Sequence, residues 1–167
     1  MNFDKVREHF RTCLQYDSST VCGEWAYRNV KRKIIAEPYL EEDSDGVLMD
    51  YKWFCFDGEP KIMYMCRDRG EQPATDFFDM EFNRLPIRIL DPPSKICPKK
   101  PVQFEEMKRL AGILSKGIPQ VRVDFYVVNG HIYFGEMTFY HLGGMTLVQP
   151  YEWNLKMGEM IHLPKRE

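Results

Sequence analysis

No stretch of this 167-residue chain holds the roughly 18 consecutive apolar residues that a membrane-spanning helix needs, so no span is expected. The start, MNFDKVREHF, lacks the apolar core of a secretory signal, which predicts a cytoplasmic protein. Neither sign of charge is in excess: 23 Lys and Arg face 25 Asp and Glu, a net charge of −2. Without a basic field, nucleic acid and anionic membranes are disfavoured as partners. The five cysteines, Cys13, Cys22, Cys55, Cys66 and Cys97, are odd in number and contain no CxxC pair. That excludes a regular disulfide framework and a paired-cysteine zinc site, and leaves reduced packing thiols. No Gly-x-Ser-x-Gly elbow or recognisable cysteine signature points to nucleophilic catalysis. Internal repeats and low-complexity segments are also missing.

What is there is a globular composition, 44% hydrophobic and 29% charged, with enough chain for one domain. Asn2 can cap a helix through Phe3, Val6, Phe10, Cys13 and Leu14, whose spacing follows the 3.6-residue period. A turn is expected around Trp25 and Tyr27. KIIAEPYL (33–40) reads as a strand that Pro38 ends or confines to an edge. An acidic linker, EEDSDG, follows. Residues 47–66 read as a hairpin around Asp57-Gly58. Proline-rich residues 67–101 read as loop. Phe104, Met107, Leu110, Ala111 and Leu114 mark a helix stopped by Gly117 and Pro119. Residues 121–139 read as a second hairpin around Asn129-Gly130, and a last helix is expected near Trp153–Ile161. The mixture predicts an α+β fold with a mostly antiparallel sheet and flanking helices.

The second hairpin, VRVDFYVVNGHIYFGEMTF, carries two acids, Asp124 and Glu136, in apolar arms. Whether they share a face depends on the turn, because side chains alternate along a strand. A two-residue turn pairs Asp124 with Gly135 and sends Glu136 to the other face. A three-residue loop with Gly130 in a bulge pairs Asp124 with Phe134 and Arg122 with Glu136, and unites all four with Tyr126 and Thr138. Paired carboxylates repel unless a cation lies between them. Mg²⁺ suits such oxygen donors, and an arginine on that face can hold a phosphate or an acid through two bonds. The plainer alternative is acids facing solvent, or Arg122 simply neutralising Glu136.

RVDF, a hairpin, a Glu two residues before a polar side chain and then a Gly-containing loop resemble the end of an ATP-grasp nucleotide site. Further stretches are similar, in order, to the TupA-like ATP-grasp proteins of bacterial surface-polysaccharide loci, also labelled glycosyltransferase-like: EWAYRNVKRKIIAEPYL, DYKWFCFDGEPKIM, LSKG and EWNLKMGEMIHLPK. The resemblance covers nearly the whole chain. It implies that Asp124, Glu136 and Thr138 bind magnesium, Thr138 standing where the superfamily usually has Asn. It implies that Ala36, Glu37, Pro38, Tyr39 and Leu40 form an adenine-contacting hinge and that Glu42 or a neighbouring acid meets the ribose. Lys52, Lys61, Arg67 and Arg69 are then cations within reach of phosphate, and Lys52 and Arg122 are the candidate catalytic pair.

The expected activity is ATP- and Mg²⁺-dependent carboxylate activation and ligation, with a nucleotide and a sugar or polysaccharide precursor as partners. Relatives of this branch are expected to have a Gly-rich phosphate loop before the hinge, whereas residues 1–30 hold only Gly23. The chain therefore reads as a single C-terminal lobe: a truncated product, a fragment, or one half of a split enzyme completed by a second chain. The alternative is a non-catalytic relic that binds a carbohydrate or partner through Trp25, Trp53 and Tyr140. His141 stands where a Pro-containing turn is expected and reads as a surface or packing residue, with a role beside the metal site as the alternative.

Overall fold

The structure, a computed structural model, describes residues 2–40, 48–67 and 73–164, with the backbone alone described at Arg67. The chain divides into two compact units, Met1–Tyr39 and Leu40–Glu167.

The first unit opens with helix α1 (Phe3–Gln15), whose first amides are capped as expected: Asn2 Oδ1 accepts from the Asp4 and Lys5 amides at 3.1 and 3.2 Å. Asp17 caps the short helix α2 (Ser18–Val21), and Trp25–Tyr27 forms a 3₁₀ turn. Arg32 binds the end of α1, donating to the Leu14 and Gln15 carbonyls at 3.2 and 3.1 Å and to Asp17 Oδ2 at 3.2 Å. These bonds satisfy carbonyls that a helix end leaves unpaired. The strand expected over 33–40 is not formed: those residues carry no regular structure, and Ile34 and Ile35 are exposed. A strand exists only when paired, so β-favouring residues do not suffice without a neighbour.

The second unit is built on a six-stranded antiparallel sheet in the order β4-β3-β2-β1-β5-β6. Strands β1 (Asp50–Phe56) and β2 (Glu59–Arg67) form the first hairpin, turned by Asp57 and Gly58 at φ 51° and 81°. Positive φ at both central residues matches the right-handed strand twist. Residues read as loop contain two strands, β3 (Ala74–Phe78) and β4 (Arg84–Leu85). Their apolar signal is only five and two residues long and is flanked by prolines, which obscures it. Helix α3 (Phe104–Leu114) leads to β5 (Gln120–Val128) and β6 (His131–Thr138), and helix α4 (Tyr151–Glu159) closes the unit.

The sheet's two faces have different covers. Tyr51, Trp53, Met63, Val123 and Phe125 lie on one face beneath Phe104, Met107 and Ala111 of α3. Trp53 and Phe104 meet with ring centroids 5.0 Å apart. Trp53 is wholly buried, so it offers no surface for stacking a sugar. On the opposite face Phe54, Phe56, Ile62, Tyr64 and Phe77 pack beneath Trp153, Met157 and Met160 of the α4 region. That cover ends before the β5–β6 side, where the same face becomes charged.

Candidate functional site

The second hairpin settles the register by a third route. Asn129 and Gly130 form a two-residue turn, at φ 50° and 79°, pairing Val128 with His131 and Phe125 with Phe134. A β-bulge then intervenes, so that Val123 pairs with Met137 and Arg122 with Thr138. Gly135 and Glu136 together lie opposite Asp124. The extra residue returns Glu136 and Thr138 to the face of Arg122 and Asp124, without the three-residue loop and without the pairs Asp124–Phe134 and Arg122–Glu136. Gly135 suits the bulge: a Cβ there would lie 3.1 Å from Tyr126 Cε2 and 3.2 Å from the Asp124 carbonyl oxygen.

On that face, five charged side chains form one chain of ion pairs. Lys52, paired with Asp124 across β1 and β5, places Nζ 2.6 Å from Asp50 Oδ2 and 2.6 Å from Asp124 Oδ2. Arg122 Nε donates to Asp124 Oδ1 at 2.8 Å, and Nη2 donates to Asp124 Oδ2 at 2.7 Å. The same Nη2 reaches Glu136 Oε1 at 2.6 Å, which also accepts from the Thr138 hydroxyl at 2.9 Å. Nη1 donates to His141 Nδ1 at 2.6 Å. Arginine only donates, so Nδ1 is the unprotonated nitrogen of that ring.

Burial makes these pairs matter. Asp124 is 1% exposed, whereas the Glu136 side chain is 61% exposed and forms the solvent edge of the cluster. Burial pushes Lys52 down, but Asp124 and Asp50 outweigh it and hold the ammonium above the ordinary lysine value. Burial holds Asp50 above the usual carboxylate range, against the pull of Lys52. Burial, and then the charge of Arg122, pushes His141 down to about 4, so the ring is neutral at physiological pH. Three carboxylates against two cations leave one uncompensated negative charge.

The expected site residues are thus only partly assembled. Asp124, Glu136, Thr138, Arg122 and Lys52 come together. Lys61 lies further towards the first hairpin's turn, exposed and paired with Glu59. Ala36, Glu37 and Tyr39 are exposed in the first unit, and the boundary between units falls between Tyr39 and Leu40. Glu42 and Arg69 lie outside the described residues, as does the Arg67 side chain. One member was missed, Asp50, while His141, read first as a surface or packing residue, meets Arg122. Asp50 shares a face with Lys52, two residues on, which the strand period alone could have indicated.

Asp124, Glu136, Thr138 and Asp50 offer hard oxygen donors, the chemistry Mg²⁺ prefers. Asp50 Oδ1 is buried with no hydrogen-bond partner, and Glu136 Oε2 accepts no bond among the described residues. The donor set therefore fits a cation in kind. Arg122 and Lys52 already neutralise part of this charge, and among the described residues no three His, Cys, Asp or Glu side chains form a ready metal cage.

The ion pairs thus run from buried Asp124 to exposed Glu136 on one face of the sheet. The family model for TupA-like ATPgrasp proteins matches residues 1–162, and the chain belongs to that family. No curated protein and no solved structure matches it. No helix among the described residues is long and apolar enough to cross a membrane.

Proposed function

We propose that this protein binds Mg-ATP over the charged face of β1, β5 and β6 and activates a carboxylate for ligation in surface-polysaccharide synthesis. The observation that carries the reading is the Asp50–Lys52–Asp124–Arg122–Glu136 chain, assembled in a member of an ATP-grasp family. Asp124 and Glu136 would hold Mg²⁺, with Thr138 beside them. Arg122 and Lys52 then give up carboxylate bonds and become free to bind phosphate oxygens. Mg²⁺, when bound, supplies charge neutralisation and orientation of the phosphates. In the expected reaction a substrate carboxylate oxygen attacks the γ-phosphorus and ADP leaves. An amine or similar nucleophile then displaces phosphate from the acyl phosphate. Lys52 and Arg122 supply fixed positive charge where the transferring group gathers negative charge. The whole chain is then one ATP-grasp-like domain.

Isothermal titration with a non-hydrolysable ATP analogue tests the reading. Binding should require Mg²⁺, and Asp124→Asn with Glu136→Gln should weaken it by about tenfold or more, the scale of one lost charge-assisted contact. Heat that stays flat for the unaltered chain, with and without Mg²⁺, would sink it.

A further inference from the structure

We propose that His141 is a positioning residue for Arg122: its ring anchors the guanidinium while the other nitrogens span Asp124 and Glu136. The consequence for nucleotide binding rests on the Mg-ATP reading above. The positioning itself is read from the chain alone.

Arg122 has five N–H donors in a rigid plane. Three point at carboxylate oxygens of Asp124 and Glu136, all from Nε and Nη2. Nη1 touches neither acid, and His141 Nδ1, 2.6 Å away, is the acceptor it meets among the described residues. A guanidinium held only along one edge can pivot about that edge. An acceptor on the opposite side fixes the plane. It also keeps Arg122 in place when Asp124 and Glu136 engage a different cation.

The ring is itself fixed. It stands edge-on to Phe54, with centroids 5.2 Å apart and planes at 81°, and lies 6.0 Å from Tyr64. Both aromatics are buried in the sheet core. His141 opens the 3₁₀ turn His141–Gly144, closed by the Gly143 amide on the Tyr140 carbonyl at 3.1 Å. Within it Leu142 sits at φ 50° and ψ 41°, a left-handed conformation that a leucine avoids unless its surroundings impose it. The turn presenting His141 is therefore specified by its surroundings. A neutral acceptor suits this place. A carboxylate would add a fourth acid, and an apolar side chain would strand a buried donor. Burial and the neighbouring guanidinium keep the imidazole uncharged.

The test follows Arg122 directly in the full chain labelled with ¹⁵N-arginine, its Nε–H signal assigned by its loss in Arg122→Lys. His141→Leu keeps the packing on Phe54 and Tyr64 and removes the acceptor. His141→Asn places an amide oxygen near the position of Nδ1. We expect the Arg122 signal to be protected from solvent exchange in the unaltered chain, to lose that protection by about tenfold or more in His141→Leu, and to keep most of it in His141→Asn. An unchanged signal in His141→Leu overturns the proposal. Equal loss in both variants overturns it too, because shape rather than the acceptor would then be responsible. Titration with the Mg-bound ATP analogue separates the two readings: absence of binding in the unaltered chain rejects the nucleotide function, while the exchange measurement still decides the positioning.

Discussion

Asp124 is a carboxylate at the centre of a sheet, 1% exposed, and burying such a charge costs several kcal/mol unless it is paired. Its oxygens accept three bonds, two from Arg122 and one from Lys52. The neighbouring groups follow from this pairing, and their protonation has consequences for stability. The folded chain keeps His141 neutral down to about 4, while an unfolded histidine takes its proton near 6.5. Protons then favour the unfolded chain, so the contribution of His141 is intact above about 6.5 and is lost as pH falls towards 4. Asp50 acts with the opposite sign. Its carboxyl is held above the usual range, so its penalty is present above that raised value and is relieved as pH falls through it. Urea unfolding between pH 7 and pH 4 should show the histidine loss as a steeper fall for the unaltered chain than for His141→Asn. Parallel curves would show that the imidazole does not titrate with folding.

At the scale of elements, the bulge in β6 decides which side chains meet. Gly135→Ala brings a methyl group within 3.1 Å of Tyr126 and 3.2 Å of the Asp124 carbonyl, so strand or ring must move. Chemical denaturation should register a loss of about 1–2 kcal/mol, the usual scale for an overpacked contact. Gly158→Ala, in α4 with nothing within 4 Å of the added carbon, should be neutral or stabilising by up to about 1 kcal/mol. Equal losses at the two sites would show that the close approach at the bulge is not what sets its cost. Both hairpins were legible in the sequence because Asp57-Gly58 and Asn129-Gly130 are strong local turn signals. Helix α3 was legible because its apolar residues keep the helical period. Strands β3 and β4 were not, because short apolar runs beside prolines carry no period. The meeting of Asp124 and Glu136 was foreseen as one of two registers, but its cause was not. An isolated glycine within a strand was the available sign of a bulge. Only the folded packing shows that Arg122 fills the space between the acids and that His141 completes its coordination.

Across the whole molecule, the two units differ in what holds them. The second unit's cores draw on residues from Met49 to Met160, on both faces of one sheet. The first unit buries no residue of α1 or α2, and Phe3 and Trp25 are 72% and 74% exposed. The bulge has a further meaning at this scale. On an alternating strand, chemistry is assigned by odd and even places, and one supernumerary residue exchanges the two. Beyond Gly135, every side chain of β6 owes its side of the sheet to that single exchange. In this strand the number of residues between the turn and Glu136 decides which face the acid takes, as firmly as its identity decides its charge.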